Sequence, residues 1–194
     1  MNFLSHLFLS GDSEGLIIGN FIADSVKGSD YKKYNPEIQQ GILLHRQIDT
    51  YTDTHPIVEK SKERLRTNYH KYAGVIVDVY YDHYLAVNWQ QYSSEKLSDY
   101  TQRIYSLIEK NRDVLPLKSA QFTKYMVHYN ILEAYAQLDG IERVMKGMAQ
   151  RATFESNMEN SVNDLKKHYD LFGNEFREFF PELQQFVNEQ INIR

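Results

Sequence analysis

The stretch GILLHRQIDTYTDTHP, residues 41 to 56, places His45, Asp49 and Asp53 four residues apart. A helix turns about 100° per residue, so positions i, i+4 and i+8 drift slowly around its axis and the three side chains share one face. Two carboxylates at that spacing repel, and burying them is costly unless a cation compensates. A divalent metal ion supplies that compensation. Taken alone, the segment also reads as a solvated polar stripe on an ordinary amphipathic helix.

Residues 73 to 89, AGVIVDVYYDHYLAVNW, form the most apolar helix candidate, and its only acids, Asp78 and Asp82, are again four apart. A helix this apolar is buried on most sides, and a buried carboxylate pair demands a partner: a metal, or an Arg or Lys. His83, about 100° from Asp82 around the axis, serves such a site from its edge or is a hydrogen-bonded core histidine. In GNFIADSVKG, residues 19 to 28, Asp24 follows an apolar run, with Asn20 four residues earlier on the same predicted face. His6 interrupts Phe3, Leu4, Leu7, Phe8 and Leu9. Singly these residues are more often structural; their repetition across four predicted helices is what points to a site.

The elements that would position them are helices. The four prolines, at 36, 56, 116 and 181, and the scattered glycines leave room for long helical segments, and no alternating apolar run argues for a sheet. The reading is all-α, a single domain over 1–194. Helices are predicted at about 2–9, 13–26, 37–53, 56–67, 69–90, 94–112, 119–137, 140–151 and 157–178, with a last one after Pro181. Pro36 suits a first helical position. The tyrosines 80, 81 and 84 and the cluster Phe176, Phe179, Phe180 read as core.

Composition narrows the chemistry. There is no cysteine, so a metal site must be built from His, Asp and Glu. With 22 Lys+Arg against 26 Asp+Glu, the net charge of -4 provides no global basic field for nucleic acid. MNFLSHLFLSGDSEG lacks a basic leader and a small-residue cleavage site, and reads as the first helix of a cytosolic domain. No segment approaches the roughly 18 apolar residues of a membrane span.

A hard site of mixed oxygen and nitrogen donors suits Mn²⁺, Mg²⁺ or Fe²⁺, and the chemistry it serves most naturally is hydrolysis at phosphorus. Asp24, His45, Asp49, Asp78 and Asp82 are the expected ligands. Arg46 and Lys27 are the expected phosphate clamps, and His83 or His6 the acid for the leaving group. KSKERLR, residues 60 to 66, with Lys60, Lys62, Arg64 and Arg66, is the best local basic patch for docking an acidic protein. Asp53, where the helix is expected to stop, is a ligand or a helix-end acid.

Six segments in order also resemble the acyl carrier protein phosphodiesterase family: MNFLSHL, GNFIADSVKG, GILLHRQIDTYTD, DVYYDHYL followed by Trp89, GIERVMKGMAQR at 140–151, and HYDLFGNEFREFFPEL near the end. The stretch from about 90 to 135 matches only loosely. The resemblance implies a cytoplasmic, all-helical, Mn²⁺-dependent enzyme, a divergent relative of the HD-domain phosphohydrolases. Such an enzyme removes 4'-phosphopantetheine from holo acyl carrier protein. It also implies functional roles for His6, Asp24, His45, Asp49, Asp78, Asp82 and His83, with Asn20, Arg46 and Asp53 inside the same motifs. Two other readings fit the residues: a metal phosphohydrolase acting on a small phosphodiester or nucleotide, and a non-catalytic helical binding module.

Overall fold

A computed structural model describes residues 1–192, and among them every regular element is helical. The order is α1 (Phe3–Leu9), α2 (Glu14–Ile22), α3 (Pro36–Thr54), α4 (Pro56–Tyr69), α5 (Ala73–Val87), α6 (Leu97–Lys110), α7 (Leu117–His128), α8 (Ile131–Ala134), α9 (Leu138–Arg151), α10 (Ser161–Lys167) and α11 (Tyr169–Asn192). Short 3₁₀ turns fill several of the joints. No described helix is long and apolar enough to cross a membrane.

Local chemistry explains the starts. Ser13 accepts from the Leu16 amide at the head of α2. Asn35 accepts from Ile38, with Pro36 in the first turn of α3. His55 closes α3 and caps α4, its Nδ1 accepting from the Ile57 amide ahead of a second first-turn proline. Each satisfies an amide that the helix itself cannot.

Four predicted boundaries are corrected. The helix expected over 13–26 ends at Ile22, and Ala23–Ser25 tightens into a 3₁₀ turn, so Asp24 does not share a helix face with Asn20. The segment expected over 69–90 starts only at Ala73, because His70 takes a positive φ of 48° that ends α4. The segment expected over 119–137 breaks at Asn130, also left-handed at φ 46°, a conformation asparagine tolerates. Conversely, α11 runs straight through Pro181, where a break was expected. An interior proline costs about 3 kcal/mol. Phe176, Phe179, Phe180 and Leu183 around it are fully buried, at about 1.5–3 kcal/mol each, so packing outweighs the proline.

The core is rich in rings, as the composition suggests. Tyr80 meets Phe172 edge-on, Tyr81 and Tyr84 pack on Phe176, and Phe176 stacks on Phe180, joining α5 to α11. The crossing that matters for the site is α2 on α3, which pass in backbone contact at two glycines. A Cβ on Gly19 would fall 2.2 Å from the Ile38 carbonyl oxygen, and one on Gly41 would fall 2.4 Å from that of Leu16. Only glycine permits this approach. It sets Asn20, next to Gly19, against His45, one turn beyond Gly41.

Candidate metal centre

The first turns of α1 and the middle of α3 meet over a cavity of about 420 Å³. His6 and His45 stack with ring centroids 4.0 Å apart and planes inclined by 16°. Both rings present Nε2 to one carboxylate: His6 lies 3.1 Å from Asp49 Oδ1, and His45 lies 3.2 Å from Asp49 Oδ2. The 3₁₀ turn after α2 brings Asp24 Oδ1 to 3.3 Å from the same His45 nitrogen. His6, His45 and Asp49 each offer one ligand atom, and these atoms lie within 4.8 Å of one another.

The tautomer of His45 is set from behind. Asn20 Nδ2 donates to the His6 carbonyl and to Ser10 Oγ, each at 2.9 Å. A carbonyl only accepts, so the amide nitrogen faces His6 and Asn20 Oδ1 faces His45 Nδ1, 2.9 Å away. His45 Nδ1 therefore carries a hydrogen, and in the neutral ring Nε2 is the atom with a lone pair for an ion. Such outer hydrogen bonds orient histidine ligands in metal sites. His6 Nδ1 is buried with no hydrogen-bond partner among the described residues. Its ring is held instead by stacking on His45 and by its backbone.

That backbone is anchored by Asp82. Fully buried on α5, Asp82 accepts from the Leu4 amide (2.7 Å), the Ser5 amide (3.2 Å) and Ser5 Oγ (2.5 Å). These are amides at the start of α1, which have no partner inside their own helix, and a carboxylate there also complements the helix dipole. Burial pushes the Asp82 carboxyl up to about 7 against these bonds.

Charges divide sharply inside the cluster. Burial alone would lower His45, but the carboxylates of Asp24 and Asp49 hold its imidazole up at about 9. Burial and the adjacent His45 push His6 down to about 4. Burial would raise Asp49, yet His45 and His6 hold it well below the usual carboxylate range, and the His45 hydrogen bond lowers Asp24. Positive charge in the metal-free cluster thus comes from a protonated His45 and from the Met1 ammonium, 3.9 Å from Asp49 Oδ1.

Residues 1–183 match the family described as acyl carrier protein phosphodiesterase. The chain belongs to that family. Proteins named acyl carrier protein phosphodiesterase from Enterobacter sp. (strain 638) and Serratia proteamaculans (strain 568) are each 33% identical to it. The first aligns over 193 residues, 98% of this chain and all of that protein; the second over 191 residues, 98% and 99%. One from Yersinia enterocolitica is 32% identical over 191 residues, with the same coverage as the second. No solved structure matches the chain.

In this member of the family, the other predicted site residues scatter. Asp78 lines the cavity but is bonded through Oδ1 to the Met1 nitrogen at 3.0 Å, outside the ligand cluster. Asp53 lines the rim, exposed, with Lys62 Nζ 3.2 Å from its carboxylate. Asp82, expected as a ligand, has both oxygens taken by α1. His83, expected as an acid, is a core histidine: Nδ1 donates to the Tyr135 carbonyl at 2.7 Å and Nε2 accepts from the Tyr169 hydroxyl at 2.9 Å. Burial lowers its pKa.

The expected phosphate clamps do not face the cavity either. Arg46 is not among the lining residues; it donates to the Val26 and Gly28 carbonyls at 3.0 Å each, with Tyr31 beneath its guanidinium. It ties down the loop after Asp24. Lys27 is exposed and is not among the lining residues.

The basic face of α4 is mostly engaged within the chain. Lys62 holds Asp53, Arg66 holds Glu59, and Arg64 forks onto Glu175 with two 2.8 Å bonds while lying over Phe172. Only Lys60 of the four makes no ion pair among the described residues. Partners seven and nine residues earlier, and more than one hundred residues later, are not visible in the local i, i+4 pattern of KSKERLR.

Two contributors escaped the residue-by-residue reading. The spacing of Asn20 pairs it with Asp24, whereas its partner is His45. Arg151 lines the cavity from the end of α9; its only sequence signal is that GIERVMKGMAQR is one of the six resembling segments.

Proposed function

We propose that this chain hydrolyses the phosphodiester joining 4'-phosphopantetheine to a serine of holo acyl carrier protein, with a divalent ion held by Nε2 of His6, Nε2 of His45 and the Asp49 carboxylate, and Asp24 as the outer carboxylate. The observation that carries this reading is the convergence of those two ring nitrogens on one carboxylate at 3.1 and 3.2 Å, behind an Asn20 contact that leaves His45 Nε2 as the donor. Family membership supports the substrate. Two imidazoles with carboxylates suit Mn²⁺ or Fe²⁺ better than the oxygen-preferring Mg²⁺. A metal ion in this place lowers the pKa of a bound water and neutralises charge on phosphoryl oxygens.

The chain's own residues do the rest. Asn20 keeps His45 in the ligating tautomer, and Asp82 holds the start of α1 so that His6 stays in register with Asp49. Asp78 is raised by burial despite the Met1 nitrogen beside it. It lines the cavity as the partner of the Met1 ammonium. The reading places the enzyme in the cytoplasm with its carrier substrate.

The test is release of 4'-phosphopantetheine from holo carrier, with bound metal measured in parallel. EDTA treatment should abolish release and Mn²⁺ should restore it. His45→Ala and Asp49→Ala should lose both metal and activity, whereas Asp82→Asn should lose stability while its folded fraction still binds Mn²⁺. Hydrolysis that survives EDTA, or survives His45→Ala, would sink the reading.

A further inference from the structure

The cavity lining is of two kinds: the polar His6, His45, Asp24, Asp49, Asp53 and Asp78, and the apolar Phe3, Phe21, Val75, Phe122 and Met148. Phe3 and Phe122 stack at 4.6 Å, joining α1 to α7. An anionic ester entering here meets four carboxylates. The Met1 ammonium in the lining is paired with Asp78 and Asp49, and among the described lining residues the one side chain with a permanent positive charge is Arg151.

Arg151 is exposed and makes no ion pair among the described residues, although acids line the same cavity. Its guanidinium lies back along its own helix over Gly147. A Cβ built there would stand 3.5 Å from Arg151 Nη1 and 3.2 Å from Tyr125 Oη, so two polar donors flank one open point. Arg151 also borders a narrow cleft that continues from the cavity between α1, α7 and α9 and shares Asn2, Phe3, Phe122 and Met148 with it. The arginine thus lines both the cavity and the cleft.

We propose that Arg151 is the anion-binding residue of this cavity: its guanidinium takes the non-bridging oxygens of a phosphate ester, and the uncharged arm of that ester lies on Phe3, Phe122 and Met148. A guanidinium fork matches phosphate oxygens in a way a lysine point charge does not. The proposal rests on the phosphodiester reading and names which part of the site meets which part of the substrate. It also replaces Arg46 and Lys27, which hold a loop and face solvent.

The experiment is calorimetric titration of the Mn²⁺-loaded protein with inorganic phosphate and with 4'-phosphopantetheine, alongside Mn²⁺ titration of the metal-free protein. Charge-assisted hydrogen bonds of about 1.5–3 kcal/mol correspond to about 10- to 100-fold in affinity. Arg151→Ala should weaken both phosphate ligands by that factor and leave Mn²⁺ affinity and Tm unchanged. Arg151→Lys should fall between, and Lys27→Ala should match wild type. Phe122→Ala should weaken 4'-phosphopantetheine while sparing inorganic phosphate. Wild-type phosphate binding by Arg151→Ala, an equal loss in Lys27→Ala, or a parallel loss of Mn²⁺ affinity would overturn the assignment. Equal effects of Phe122→Ala on both ligands would overturn the placing of the arm. Phosphate binding is measured without turnover. A protein that binds phosphate through Arg151 yet leaves holo carrier intact would refute the proposed hydrolysis and not this site.

Discussion

Replacing Asn20 by alanine removes three buried hydrogen bonds at once: its two donations, to the His6 carbonyl and Ser10 Oγ, and its acceptance from His45 Nδ1, all 2.9 Å long. Asn20 is 1% exposed, so water does not replace them without opening the core. At about 1 kcal/mol each, the metal-free protein should lose about 3 kcal/mol, or about 6–12 °C in Tm for a chain of this size. The larger consequence is for the ion. With Nδ1 freed, the hydrogen of neutral His45 redistributes between its two nitrogens and the ring loses its hold, and loss of such an outer contact costs about 10- to 100-fold in metal affinity. Urea denaturation in EDTA gives the first quantity and Mn²⁺ titration of the folded protein the second. Asn20→Asp separates the two effects, because it keeps the acceptor for His45 and discards both donors, so it should retain more metal affinity than stability. If Asn20→Ala destabilised the fold but bound Mn²⁺ as wild type does, Asn20 would be a packing residue and the orientation argument would be wrong.

Two further outcomes follow from the same geometry. Gly41→Ala should cost at least about 3 kcal/mol by overpacking, since its Cβ would sit 2.4 Å from the Leu16 carbonyl oxygen and 2.8 Å from Gly19 Cα. Separation of α2 from α3 should weaken Mn²⁺ binding in whatever fraction stays folded, and a wild-type Tm would show that the helices have slack. For pH, His45 in the metal-free protein is held up at about 9 and ligates only as neutral imidazole, so binding releases its proton. His6, pushed down to about 4, is already neutral near pH 7. Apparent Mn²⁺ affinity should therefore rise about 100-fold from about pH 6 to about pH 8, with one proton released per ion in buffers of different ionisation enthalpy. A flat profile over that window would refute the His45 assignment.

Much of this molecule is local enough to be legible in the chain. The spacing of apolar residues and the placement of proline and glycine determine an all-helical fold, because helix periodicity depends only on near neighbours. The absence of cysteine determines a nitrogen and oxygen donor set, and i, i+4 spacing on one continuous helix determines that His45 and Asp49 share a face. Tertiary structure decided what near neighbours do not encode. Asp49 and Asp82 look alike in sequence, each four residues after a polar partner within a helix. One faces two imidazoles across a cavity, while the other is consumed by the free amides of α1. His83 sits beside that second acid and turns to a carbonyl and a hydroxyl contributed from 52 and 86 residues further along. Asn20 acquires its role from the contact of Gly19 with Gly41, and Arg151 from the end of α9 reaching the cavity that α1, α3 and α5 enclose. Spacing along a helix determines which side chains point together; which of them meet an ion is decided by the partner that the rest of the chain brings to each one.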